Sequence, residues 1–180
     1  NYPQTHLNAS SGCGKTHLAE TVSKPMGTTL HYILCGRETT RVAVSEALQA
    51  AKFGDFFFMD ELHALRFSVM EFLYPAMDSR KTLAIDHSKR VPDVTEEWID
   101  IQPCTIIAAT DRAGELRNAF RRRCPQVYAM SDYTLAELRE IASNRASQMG
   151  VLLSPQATTA LARVCRGTPR NLRHMLHGLQ

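Results

Sequence analysis

The 180-residue chain has little that would mark an exported or membrane-bound protein. Its five cysteines (Cys13, Cys35, Cys104, Cys124, Cys165) include no CxxC pair, and two of them lie in apolar runs that read as strands. That pattern argues against a zinc site and for a reducing, cytoplasmic compartment. No apolar run approaches the roughly 20 residues that span a bilayer, and the N-terminus has neither the basic stretch nor the apolar core of a leader. The expectation is a soluble, unexported protein with no membrane partner. Strong charge of one sign is missing too. A net +3 and a pI near 8.7 permit contact with nucleic acid without arguing for it. Internal repeats and low-complexity tracts are absent, and the length suits one α/β domain with a small helical appendage rather than two large domains.

A last absence falls in the stretch around which the rest is organised. Asn8-Ala9-Ser10-Ser11-Gly12-Cys13-Gly14-Lys15-Thr16 follows the phosphate-loop pattern GxxxxGK[ST], except that Ala9 stands where the first glycine belongs. The chemistry tolerates that change. Small residues with Gly12 and Gly14 let backbone N–H groups converge on one anion, and the N-terminus of the helix beginning near Lys15 adds favourable potential. Ser11, Gly12, Cys13, Gly14, Lys15, Thr16 and His17 are the candidate nucleotide-binding residues, with Lys15 directed at the phosphates and Thr16 at Mg²⁺. The loop stands almost at the start of the chain, which predicts that a preceding segment is absent or was removed.

Downstream, the pattern alternates strand and helix. A strand over Thr5 to Asn8 leads through the loop into a helix ending near Ser23, and Thr29 to Leu34 reads as the next strand. Thr39 or Thr40 caps a helix that ends at Lys52-Phe53-Gly54. Phe56-Phe57-Phe58-Met59 is apolar throughout, too short for a buried helix, and reads as a central parallel strand closed by Asp60-Glu61. Ser68 to Met77 carries an apolar helical face with Pro75 as an irregularity, and Met70 and Met77 are most simply core. Thr82 to Asp86 and Trp98 to Ile101 alternate around a polar stretch, His87 to Glu97, predicting a protruding hairpin with a charged tip. Cys104 to Thr110 is another buried strand, followed by a helical stretch to Arg123 and a last strand over Gln126 to Met130. Beyond Ser131 three helices follow, opened by Thr134 with Glu137, by Ser154-Pro155, and by Thr168-Pro169.

Adjacent carboxylates at the end of an apolar strand suit metal-assisted phosphoryl chemistry. Asp60 would bind Mg²⁺ through water alongside Thr16, and Glu61 would act as general base toward an attacking water.

Four motifs, taken in order, then carry a resemblance: Gly12 to Thr16, Asp60-Glu61-Leu62-His63, Ala109-Thr110-Asp111-Arg112-Ala113-Gly114, and Gly167-Thr168-Pro169-Arg170. Together they resemble an AAA+ ATPase core, and Phe72 to Met77 with Asp111 to Gly114 narrow the likeness to the RuvB branch-migration family. It runs from about Leu7 to Leu176. The resemblance implies an α/β fold: a P-loop parallel-sheet ATPase core over residues 1–130 and an all-helical lid over residues 131–180. It implies ATP and Mg²⁺ as cofactors, hydrolysis at the subunit interfaces of a homo-oligomeric ring, a hexamer, and movement of duplex or four-way junction DNA. A junction-recognition subunit would dock on the 82–101 hairpin. The family's winged-helix DNA-binding domain and part of its adenine pocket fall outside these residues.

Carried over residue by residue, the first sensor falls on Asp111, where the family places a neutral Thr or Asn. Either Asp111 turns away and Thr110 serves, or hydrolysis is weakened. Arg123, with Arg121 close behind, matches the arginine offered to a neighbouring subunit's nucleotide, and Arg170 matches the second sensor. His63 stands where the family has a histidine, with structural support and coupling both open as roles. Lys89 and Arg90 at the hairpin tip are a solvated charge run or a docking surface. His174 and His177 lie three apart on a helix but lack a third metal ligand. Three alternatives remain: another DNA-linked AAA+ ATPase such as a clamp loader, an ATP-binding scaffold with little turnover, and a truncated remnant with no activity.

Overall fold

The computed structural model describes residues 3–86, 93–165 and 167–178. The chain divides into two compact units: one runs to Asn8 and resumes over Thr16–Tyr128, and the other takes Ala9–Lys15 and the chain from Ala129 onward. The strands are β1 (Thr5–Ala9), β2 (Leu30–Leu34), β3 (Phe56–Asp60), β4 (Lys81–Asp86), β5 (Asp93–Asp100), β6 (Thr105–Thr110) and β7 (Gln126–Met130). The helices are α1 (Lys15–Ser23), α2 (Arg41–Ala50), α3 (Phe67–Ser79), α4 (Asn118–Arg121), α5 (Leu135–Gln148), α6 (Pro155–Val164) and α7 (Pro169–His177).

Five strands form one sheet in the order β2-β3-β6-β1-β7, with β2–β3, β3–β6 and β6–β1 parallel. Side chains alternate across its faces. Phe57, Met59, Ile106 and Ala108 enter one core with Val44 and Leu48 of α2 and Val69, Phe72 and Leu73 of α3. Phe56, Phe58, Ile107 and Ala109 enter another with Leu7 and Ala19. Burial on both faces is why this strand is apolar throughout instead of alternating. Each of these phenylalanines contributes about 2–3 kcal/mol by burial. Parallel pairing also brings the carboxyl ends of β1, β3 and β6 to one edge, with Asn8 opposite Thr110 and Met59 opposite Ala108.

The α2 helix is capped by Thr40, whose hydroxyl accepts from Ala43 N. It stops at Ala50, before the expected 52–54 break, because Ala51 is already extended and Gly54 turns the chain at φ 85°. Asp55 then ties this turn to β2. It accepts from Thr29 N at 3.0 Å and Lys52 N at 2.9 Å and pairs with His31 Nε2 at 2.8 Å. Burial alone would raise the Asp55 pKa, but His31 and the two amides outweigh it and hold the carboxyl below its ordinary range.

The α3 helix spans Phe67–Ser79 and keeps Pro75 inside it, near its end, as expected. Two expectations need correction. In the hairpin, β5 begins at Asp93, inside the stretch expected to be tip, because ladder hydrogen bonds come from the backbone and polar side chains do not forbid them. Lys89 and Arg90 lie outside the described residues. The helical stretch expected up to Arg123 is instead a 3₁₀ turn (Ala113–Glu115) and the short α4, separated by extended backbone at Leu116 and Arg117. That break buries both Leu116 and Phe120.

The hairpin base is fastened to α2, where Ser45 Oγ donates to the Leu83 carbonyl at 2.7 Å and receives from Thr82 Oγ1 at 3.3 Å. In the second unit, Thr134 and Glu137 form the expected capping box, and Ser154 accepts from Ala157 N. Ala142, Ala146 and Ala162, with Leu138, Cys165, Leu172 and Leu176, make its core. Small side chains at these contacts let the helices approach closely.

Candidate active site

The loop between β1 and α1 turns on two glycines. Gly12 and Gly14 have φ of 88° and 90°, in the left-handed region where a Cβ is strained. A Cβ on Gly12 would lie 2.9 Å from Arg170 Cβ, and one on Gly14 would lie 3.3 Å from the Tyr133 hydroxyl. Lys15 is buried and folds back, its Nζ donating to the carbonyls of Ala9 at 2.9 Å and Ser10 at 3.3 Å. This keeps an ammonium beside the loop at fixed depth. Arg170, in the first turn of α7, donates from Nη1 to Ser11 Oγ at 2.9 Å. Tyr133 donates its hydroxyl to the Cys13 carbonyl at 3.2 Å, and the Cys13 thiol donates to Asp132 Oδ1 at 3.6 Å. Burial first, then Asp132, pushes the Cys13 thiol pKa up, so the sulfur stays neutral. Ser11 to Lys15 and Arg170, predicted from separate motifs, therefore converge. Asp132 and Tyr133 were not predicted. They precede the Thr134 cap, and no spacing rule links them to a loop about 120 residues earlier.

The second cluster lies at the carboxyl edge of the sheet. Asp60 ends β3; its Oδ1 accepts from Glu61 N at 3.0 Å and its Oδ2 from the Tyr32 hydroxyl at 3.2 Å. Glu61 adopts φ 53°, ψ 42°, a left-handed conformation that costs about 1–2 kcal/mol in a non-glycine residue. Such strain is typical of functional turns. His63 gathers the rest. Its Nδ1 lies 2.9 Å from Thr110 Oγ1, 3.5 Å from Glu61 Oε2 and 3.7 Å from Asp111 Oδ1. Thr110 is fully buried, and its hydroxyl also accepts from Arg112 N at 3.0 Å. Asp111 is shared with Arg112 Nε at 3.8 Å. Among the described residues, Glu61, His63 and Asp111 are the group of three whose donor atoms, all within 4.8 Å, could share a cation. Tyr32 carried no motif and was missed.

Thr16 lies in the first turn of α1, half-buried, and His17 is exposed beside Glu20 at 3.9 Å. Arg121 is exposed, whereas Arg123 is bound to Asp78 and lies over the Tyr74 ring. His174 is exposed, and the side chain of His177 is outside the described residues.

The residues present fit a nucleotide with a hard divalent cation. The loop carries a buried ammonium, Lys15, suited to phosphate, and the predicted metal donors, Thr16 and Asp60, each offer oxygen, the donor a hard cation takes.

Known proteins resemble this chain in sequence and fold. RuvB of Thermotoga petrophila is 34% identical over 165 residues, covering 91% of this chain and 48% of that protein. RuvB of Fervidobacterium nodosum is 32% identical over 168 residues, covering 91% and 47%. Both are described as Holliday junction branch migration complex subunits. The solved structure of the Thermotoga maritima RuvB Holliday junction branch migration motor superposes with a TM-score of 0.82 at 30% identity, over 97% of this chain and 53% of that one. The chain thus spans about half the length of the curated relatives it matches. Residues 4–130, from the strand before the loop to the end of β7, match the family described as the Holliday junction DNA helicase RuvB P-loop domain, and to that family the chain belongs.

Proposed function

We propose that this chain is the ATPase part of a motor that branch-migrates four-way DNA junctions, with residues 131–180 as its helical lid. The observation that carries the reading is the convergence of Gly12, Gly14, Lys15 and Arg170 on one loop in a member of the RuvB P-loop family. ATP with Mg²⁺ supplies the phosphoryl group and the charge neutralisation. The loop amides and Lys15 hold the phosphates, and Thr16 and Asp60 hold the cation, with Tyr32 and Glu61 N orienting the Asp60 carboxylate. Glu61 accepts a proton from the attacking water, oriented by the His63–Thr110 pair. Arg170 senses the terminal phosphate from α7. Arg123, with Arg121 beside it, serves the nucleotide of the next subunit in a hexameric ring. Duplex or junction DNA is the track, and a junction-recognition subunit docks on the 82–101 hairpin. No described helix is long and apolar enough to cross a membrane. The five free thiols suit a reducing cytoplasm.

A second reading, an ATP-binding scaffold with little turnover, is favoured by one observation: Asp111 adds a second carboxylate beside Glu61 and His63. ATP hydrolysis measured with and without four-way junction DNA, against Glu61→Gln and Arg123→Ala, separates the two. The motor reading expects junction-stimulated turnover in the wild type. Both variants should bind ATP yet lose turnover by on the order of 100-fold or more. Wild-type binding without turnover supports the scaffold, and an ATPase indifferent to the junction removes the DNA assignment.

A further inference from the structure

Arg123 is held by Asp78, the Ala119 carbonyl and the Tyr74 ring. Its Nε donates to Asp78 Oδ1 at 3.1 Å and Oδ2 at 2.8 Å, and Nη2 stands 2.8 Å from Asp78 Oδ2. Nη1 donates to the Ala119 carbonyl at 2.8 Å, and the guanidinium lies over the Tyr74 ring, 4.1 Å from its centroid. A guanidinium carries five N–H donors in one rigid plane. Asp78 and Ala119 occupy the Nε donor and one on each terminal nitrogen, so each terminal nitrogen keeps one donor. Those two are left to donate to a phosphate.

The exposure of the pair indicates what it is for. Asp78 is 49% exposed and Arg123 28%, and an ion pair so open to water adds little stability. Its effect is geometric. A free arginine samples many rotamers and must lose that freedom each time it meets a phosphate. Here a carboxylate, a carbonyl and an aromatic face have already removed it. All three groups belong to α3 or α4, so the guanidinium plane is fixed by rigid elements rather than by a loop alone.

We propose that Asp78 is a positioning residue for Arg123, fixing the guanidinium against Tyr74 so that its terminal nitrogens are presented to the phosphates of a nucleotide held by a neighbouring copy of this chain. The inference rests on the reading of Arg123 as an arginine supplied between subunits.

The test uses mixed subunits of the full chain and measures ATP hydrolysis. Glu61→Gln subunits can lend Arg123 but cannot hydrolyse, and Arg123→Ala subunits keep Glu61 but lack the arginine, so their mixture should recover turnover. Donors carrying both Glu61→Gln and Asp78→Asn should recover on the order of tenfold less, with KM for ATP unchanged, since the hydrolysing subunit is wild type at position 78. Donors with Glu61→Gln and Asp78→Glu, which keep a carboxylate within reach, should restore most of it. Thermal melts of the Asp78→Asn donor should match those of the Glu61→Gln donor, and a destabilised donor leaves the Asp78→Glu comparison to decide. If the first mixture recovers nothing, the intersubunit reading of Arg123 fails and takes this proposal with it. If it recovers and the Asp78→Asn donor does equally well or better, Asp78 does not present the arginine, while the intersubunit reading stands.

Discussion

Arg170 donates to the Ser11 hydroxyl at 2.9 Å, joining the first turn of α7 to a loop 159 positions earlier. Behind that bond the two segments are in van der Waals contact, since a Cβ on Gly12 would meet Arg170 Cβ at 2.9 Å. The glycine is required twice, for its φ of 88° and for the space.

Gly12→Ala should therefore destabilise the protein by about 1–3 kcal/mol in urea unfolding. Gly114→Ala is the control. Its Cβ would meet nothing within 4 Å, and its effect should stay within about 0.5 kcal/mol. Equal losses at both positions would contradict the contact account.

Lys15→Ala should weaken ATP binding about 100-fold or more, read by anisotropy of a labelled nucleotide, because a charge-assisted contact worth about 3 kcal/mol is lost. Unchanged affinity would show that the loop is not a phosphate site.

The Asp55–His31 pair sets a pH dependence of stability. A carboxyl whose folded pKa is depressed contributes stability that is complete above its unfolded pKa of about 3.9 and is lost as pH falls through the folded value. Asp55→Ala should cost on the order of 3 kcal/mol at pH 7, since two amides and a histidine lose their acceptor. The gap between wild type and variant should narrow in urea melts as pH drops below about 4. A gap that stays constant down to pH 2 would assign the loss to packing.

Burial pushes the thiols of Cys35 and Cys124 to about 12 and, as the leading cause, that of Cys104 to about 11. Since the thiolate is the reactive form, a thiol reagent at pH 8 should modify these three at least about 100-fold more slowly in the folded protein than in urea. Rapid stoichiometric labelling of the native chain at Cys35 or Cys124 would contradict the packing of the α2–α3 face of the sheet.

Much of the fold was legible locally. Phe56 to Met59 announced a strand buried on both faces, Thr134 with Glu137 announced a helix start, and the loop announced itself despite Ala9, because each depends on residues within a few positions of one another. The readings that failed did so at boundaries. The β5 strand reached into a polar stretch, and the backbone opened between Ala113 and Asn118 to bury Leu116 and Phe120 together. In each case tertiary burial or ladder pairing overrode local preference.

The amino-acid order alone determined which chemical groups the chain owns and which backbone turns present them: two glycines before Lys15-Thr16, two carboxylates after an apolar strand, an arginine after Thr168-Pro169. Only the tertiary structure decided their partners. His63 meets Thr110 and Asp111, Tyr133 and Asp132 meet Cys13, and Asp78 meets Arg123, at separations of roughly 45 to 120 positions. A hydrogen bond depends on angstroms and angles, and over such distances along the chain those are set by how helices pack and strands register, which no pattern of neighbouring residues records.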